Sequence, residues 1–141
     1  MPKTPNGYAV IAPDDVDDLT TVLKVGGAAF RVATAHAASF KALLTFLDSV
    51  EPFAEPGWDG GYAHRLQRGS STKWSEHAAG TAIDTNASQH PMGGARYAGW
   101  TADQVRVIRW YLKTSAHGRR MEWGADFTRP DPMHFQLKAA A

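Results

Sequence analysis

No cysteine occurs among the 141 residues, and this constrains the chain more than any other single feature. Disulfide staples, thiol nucleophiles and thiolate-held metal are all excluded at once. The fold must stand on a packed apolar core, and any metal must be held by imidazole and carboxylate. Length permits such a core, because 141 residues fit one domain that buries most of its apolar surface without cross-links. Composition agrees: 43% hydrophobic and 21% charged residues belong to a globular chain, not a disordered one. Fifteen Lys and Arg against fourteen Asp and Glu leave a net charge of +1. That balance lacks the basic excess of a nucleic-acid binder. No run of about 18 apolar residues is present, so no membrane span is expected. The opening Met1-Pro2-Lys3-Thr4-Pro5-Asn6 has no apolar stretch behind it and does not read as a signal peptide.

Patterning predicts an α+β domain: a small antiparallel sheet, helices on one side, and a cleft on the exposed face. Residues 1–27 read as an N-terminal arm and loop, 28–138 as the main folded domain, and 139–141 as a tail. Asp14, Asp15, Asp17 and Asp18 lack the Gly and distal Glu of a calcium loop, so they read as a solvated loop or helix start. Ala28–Ala33 predicts a strand and Thr34 the N-cap of a helix. Phe40, Leu43, Leu44, Leu47 and Val50 supply that helix with one buried stripe. Gly60–Leu66 predicts a second strand. Thr101-Ala102-Asp103-Gln104 is a capping box, followed by a core face of Val105, Ile108 and Leu112. Arg106, Arg109 and Lys113 read as the solvated side, and His117-Gly118 as the end of that helix. Trp58, Trp74, Trp100 and Trp110 read as core or cleft wall, with Trp74 the best placed for the cleft.

Chemistry concentrates in two places. In Pro132–Leu137, Met133, Phe135 and Leu137 alternate with His134 and Gln136, which puts a histidine on the polar face of a strand. In Ser75–Asp84, His77 and Asp84 lie seven apart with Gly80 between them. A tight turn can bring His77 over the strand that holds Asp84, which shares its face with Ala82 and Asn86. Two imidazoles and one carboxylate form a three-ligand zinc site with a fourth position open to water. Asp131, in the turn three residues before His134, is placed for a general base that is not a ligand. His36, His64, His90 and His117 have no partner pattern.

The full pattern is Ser-x-His-x-x-Gly-x-Ala-x-Asp over Ser75–Asp84, then Trp-Gly-x-Asp from Trp123 and Asp-Pro-Met-His-Phe from Asp131. It resembles the zinc peptidases of peptidoglycan: the VanY-type D-alanyl-D-alanine carboxypeptidases and the L-alanyl-D-glutamate endopeptidases of bacteriophage lysins. The resemblance runs from Phe30 onward and leaves residues 1–27 uncovered. It implies zinc on His77, Asp84 and His134, with Asp131 as catalytic base and Ser75 bracing the site through a hydrogen bond. It also implies an arginine on the substrate carbonyl, with Arg65 the first choice and Arg31 the second; Arg68 reads as a loop residue. The implied substrate is the stem peptide of the bacterial wall, cut by a monomer, with an endopeptidase favoured over a carboxypeptidase. The protein would be made in the host bacterial cytoplasm and act on the wall after release, or travel in a virion. The competing reading is a non-catalytic, zinc-containing wall-binding module of the same fold.

Overall fold

The computed structural model describes residues 2–57 and 60–140; Trp58 therefore lies outside the described residues, as do Met1 and Ala141. Eight elements carry the fold: α1 (Val16–Leu19), β1 (Thr20–Val25), β2 (Ala28–Ala33), α2 (Ala37–Val50), β3 (Ala82–Asp84), α3 (Ala102–Thr114), β4 (Met121–Trp123) and β5 (His134–Leu137). The architecture is α+β, with antiparallel pairing divided between two small sheets. β1 and β2 form a hairpin, and β5 sits between β3 and β4.

The helices follow from their sequence. The α2 stripe puts Phe40, Leu43, Leu44 and Leu47 in the core at 0–1% exposure. α3 begins on the expected capping box: Thr101 Oγ1 accepts from the Gln104 N–H at 3.1 Å, and Gln104 Oε1 accepts from the Thr101 N–H at 2.9 Å. Ile108 and Tyr111 are its buried residues. The core joins α2 and α3 to both sheets through Phe30, Val32, Ile83, Trp123, Phe135 and Leu137.

Several expectations give way to tertiary contacts. Within residues 1–27, Thr20–Val25 is a strand, not loop, because it finds a partner in β2 over six register pairs. Gly60–Leu66 forms no ladder. Its backbone bonds scatter over Arg31 on β2, Ser75 and His77 in the following turn, and Asp84 on β3, with one bridge from Leu66 to Trp74. Thr34 makes no cap bond; it opens a short 3-10 turn, and His36 occupies the N-cap of α2. α3 stops at Thr114 with Ser115 extended, so His117-Gly118 leads into a separate 3-10 turn. Arg109 is not merely solvated. It pairs with Asp126 and lies 4.8 Å from the Trp123 ring, and the hydrogen bonds to Asp126 raise its pKa further above the ordinary guanidinium value. Trp110 is 62% exposed, neither core nor cleft.

Candidate metal centre

The second sheet brings the two chemical segments together. Asp84 on β3 is the register partner of His134 on β5, so the carboxylate and one imidazole leave the sheet side by side. Phe135 and Leu137 on the other face are buried at 0% and 1%. His77 enters from a 3-10 turn, Glu76–Ala79, whose N-cap Ser75 accepts the His77 N–H on its Oγ at 3.2 Å. That turn closes at Gly80, in the left-handed region at φ +67°. A Cβ at Gly80 would lie 2.6 Å from the Ala33 nitrogen, so both the turn and its seat against β2 require glycine.

His77, Asp84 and His134 each direct one ligand-capable atom into a common space, all within 4.8 Å of one another. Asp84 Oδ2 lies 3.2 Å from His77 Nε2, and Asp84 Oδ1 lies 3.0 Å from His134 Nδ1. The outer ring nitrogens fix what the inner ones offer. His77 Nδ1 is 2.7 Å from the Gly61 carbonyl, an acceptor only, so Nδ1 carries the proton and Nε2 keeps its lone pair. His134 Nε2 is 2.7 Å from Gln136 Oε1, so Nδ1 is left as the inner lone pair. Two imidazole lone pairs thus converge on a carboxylate, and the buried His77 Nε2 has no hydrogen-bond partner. Three acceptors facing one another with no donor between them fit a cation.

Protonation provides the same charge when no cation is bound. Burial works against the charged imidazole of His134, but its hydrogen bond to Asp84 and the charges of Asp84 and Asp131 outweigh that and raise its pKa. For Asp84, burial pushes upward, while the charge of His77, the hydrogen bond to His134 and the charge of His134 hold the carboxyl far below the usual range.

Asp131 sits outside β5, in the turn leading to it. Its Oδ2 is 3.9 Å from His134 Nδ1, and its buried Oδ1 has no partner. Burial, with the Asp84 charge assisting and His134 opposing, raises its pKa. Arg65 lines the same cleft, of about 500 Å³. Its guanidinium donates to the Leu66 carbonyl at 3.2 Å; burial and then the neighbouring Arg68 lower the pKa of Arg65, while the charges of Asp84 and Asp131 oppose that shift. Arg68, expected as a loop residue, and Arg129 line the cleft too. Arg31 is not brought there. It lies on β2 with its guanidinium on Thr20 Oγ1 at 3.1 Å, away from the residues that line the cleft.

Other positions differ from expectation. Met133 lies in the turn before β5 and lines the cleft, where strict alternation would have put it with Phe135. Asn86 is beyond β3 at φ 44°, where its side chain accepts from the Ala54 N–H and donates to Glu51 and Pro52. Trp74 packs beside His64 and is not among the residues that line the cleft. His90 is buried between Glu51 and the Ala98 carbonyl and stacks on Trp100. His36 and His117 bond to Arg120 and Ser39, well outside the site.

Residues that hold the Asp131–His134 turn escaped the sequence reading. The Pro132 carbonyl accepts from two indoles, Trp123 Nε1 at 2.9 Å and Trp100 Nε1 at 3.0 Å. Trp123 is fully buried and stacks on Phe135. The Gly124 carbonyl accepts the Asp131 N–H at 2.8 Å, and a Cβ at Gly124 would strike the Asp131 carbonyl oxygen. The Trp123-Gly124 pair within the Trp-Gly-x-Asp motif was the available signal.

The D-alanyl-D-alanine carboxypeptidase family model matches residues 68–137. The chain belongs to this peptidase family. The matched half contains His77, Asp84, Asp131 and His134. No curated protein and no solved structure gives a match.

Proposed function

We propose that the protein is a zinc metallopeptidase that hydrolyses a peptide bond in the stem peptide of bacterial peptidoglycan. The observation that carries the reading is the convergence of His77 Nε2, Asp84 and His134 Nδ1 as three facing acceptors, with Asp131 beside them, its Oδ1 without a hydrogen-bond partner. Zinc held there would supply Lewis acidity toward a carbonyl and a water. The remaining work falls to side chains. Asp131, its pKa raised by burial, takes a proton from the attacking water at a carboxylate oxygen and returns it to the leaving amine. Arg65 binds the substrate carbonyl and stabilises the negative charge that develops on its oxygen. Ser75 holds the turn that presents His77.

An endopeptidase is favoured over a D-Ala-D-Ala carboxypeptidase, in keeping with the lysin-like motif pattern. The protein would be made in a host bacterial cytoplasm and act on the wall after release, or be carried in a virion. A non-catalytic wall-binding module is the lesser reading, since such a module has no use for a half-buried Asp131 whose Oδ1 has no hydrogen-bond partner.

The test is digestion of purified peptidoglycan with and without a chelator, with the fragments read by mass spectrometry. New internal N-termini support the endopeptidase, and free terminal D-alanine supports the carboxypeptidase. Binding to the wall without zinc-dependent cleavage would overturn the enzymatic reading.

A further inference from the structure

The segment before β1 lies outside the matched region, yet Pro5 and Asn6 line the cleft. Asn6 is tied down at four points. Its N–H donates to Glu76 Oε2 at 3.1 Å, and its carbonyl accepts from the Ala140 N–H at 2.8 Å. Its side-chain Nδ2 donates to Glu122 Oε1 at 2.9 Å and to the Leu137 carbonyl at 2.8 Å. The same Glu122 oxygen accepts from Gln136 Nε2 at 2.7 Å, and Gln136 Oε1 reaches His134 Nε2 at 2.7 Å.

The chemistry of this chain is directional. An ionised carboxylate only accepts, so Glu122 must meet the NH₂ end of Gln136. Gln136 then shows its carbonyl oxygen to His134. An acceptor at Nε2 requires the proton there, and Nδ1 keeps its lone pair toward Asp84. One amide rotation reverses all of this. Were the Gln136 amide to turn over, its NH₂ would face His134 Nε2 and favour the tautomer protonated on Nδ1. That proton would fall on Asp84 Oδ1, 3.0 Å away, and close a hydrogen bond in the space a cation would use.

We propose that Asn6 is a positioning residue for this site: by holding the half-buried Glu122, it locks the Gln136 amide and keeps His134 in the tautomer that leaves Nδ1 open to metal. The proposal rests on the metallopeptidase reading of the cluster. It also makes the N-terminal segment a working part of a site whose ligands all lie far along the chain.

The test replaces Asn6 with Ala and reads the His134 ring by long-range ¹⁵N–¹H correlation in the metal-free protein, above the pH range in which imidazoles titrate. Zinc affinity is measured alongside by competition with a chromophoric chelator. The expected result is His134 protonated on Nε2 in the wild type and shifted toward Nδ1 in Asn6→Ala. Zinc affinity should fall about 10- to 100-fold, as for other groups that orient a metal-binding histidine. His77 should keep its tautomer, since Gly61 sets it. Glu122→Ala should reproduce both effects while leaving the Asn6 bonds to Glu76 and Leu137 intact, and it decides the matter if Asn6→Ala does not fold. A lower melting temperature with the His134 tautomer and zinc affinity unchanged would overturn the proposal. If the wild type takes up no zinc, the metallopeptidase reading falls, and the tautomer comparison alone decides the role of Asn6.

Discussion

Loading the site with zinc should raise the melting temperature by a calculable amount. His77, Asp84 and His134 come from a 3-10 turn and two strands, and the unfolded chain does not hold them together. Zinc that binds only the folded state stabilises it by RT ln(1 + [Zn]/Kd), about 4 kcal/mol at a thousandfold excess over Kd. Unfolding entropy near 2.1 cal/mol/K per residue gives about 0.3 kcal/mol/K for a chain of this length, so the shift should be about 14 °C. The metal-free protein should remain folded, because β3 and β5 are already paired and the α2 stripe is buried independently of the site. The effect should depend on pH in a definite sense. The His134 pKa is raised, so protonation stabilises the metal-free fold fully below the ordinary imidazole value, and that stability is lost as pH rises through the raised pKa. Zinc competes with that proton; its shift should be small in acid and grow as pH rises through the imidazole range. The assay is a set of thermal melts in zinc-buffered and chelator-treated samples, with far-UV spectra of both. An unfolded spectrum after chelation would refute the claim of an independent core. Equal melts with and without zinc, or a full shift in His77→Ala, would refute the site.

Asp131→Asn should keep zinc affinity within a few-fold and lower kcat on a stem-peptide substrate by about 10²-fold or more; loss of the metal would mean that Asp131 is a ligand. In the wild type, activity should rise with pH through the raised Asp131 pKa, since a base must be ionised, so a pH–rate profile should show an acid limb above the ordinary aspartate range. Arg65→Ala should reduce kcat/KM by about 10²-fold, as for removal of one group that stabilises a developing oxyanion, while Arg31→Ala, away from the cleft, should leave it near wild type; the reverse order in steady-state kinetics would exchange their roles. Gly80→Ala should destabilise by more than about 1 kcal/mol in denaturant melts, because it combines a left-handed backbone with a clash against β2; a neutral result would mean the turn relaxes freely.

Sequence by itself determined what is periodic or local. The α2 stripe, the Thr101–Gln104 capping box and the β2 span were legible because each depends on neighbours within a few residues. The His77, Asp84 and His134 trio was legible because residue type limits the chemistry: a chain without cysteine has only imidazole and carboxylate to offer, and the motif spacing picks three of them. Asp131 was legible as the one carboxylate in the turn before His134. Tertiary structure alone decided the rest. β1 is a strand because β2 pairs with it, whereas Gly60–Leu66 is not because its bonds go to three different segments. Arg65 was separated from Arg31 only by which of them reaches the cleft, and Arg68 and Arg129 joined the lining from loops. The Pro132 carbonyl is held by Trp100 and Trp123, which come from separate segments and carry no spacing that links them. Most hidden was the tautomer of His134. It depends on which end of the Gln136 amide faces Glu122 and on Asn6 arriving from the other end of the chain, and hydrogen-bond direction across more than a hundred residues leaves no mark in local sequence.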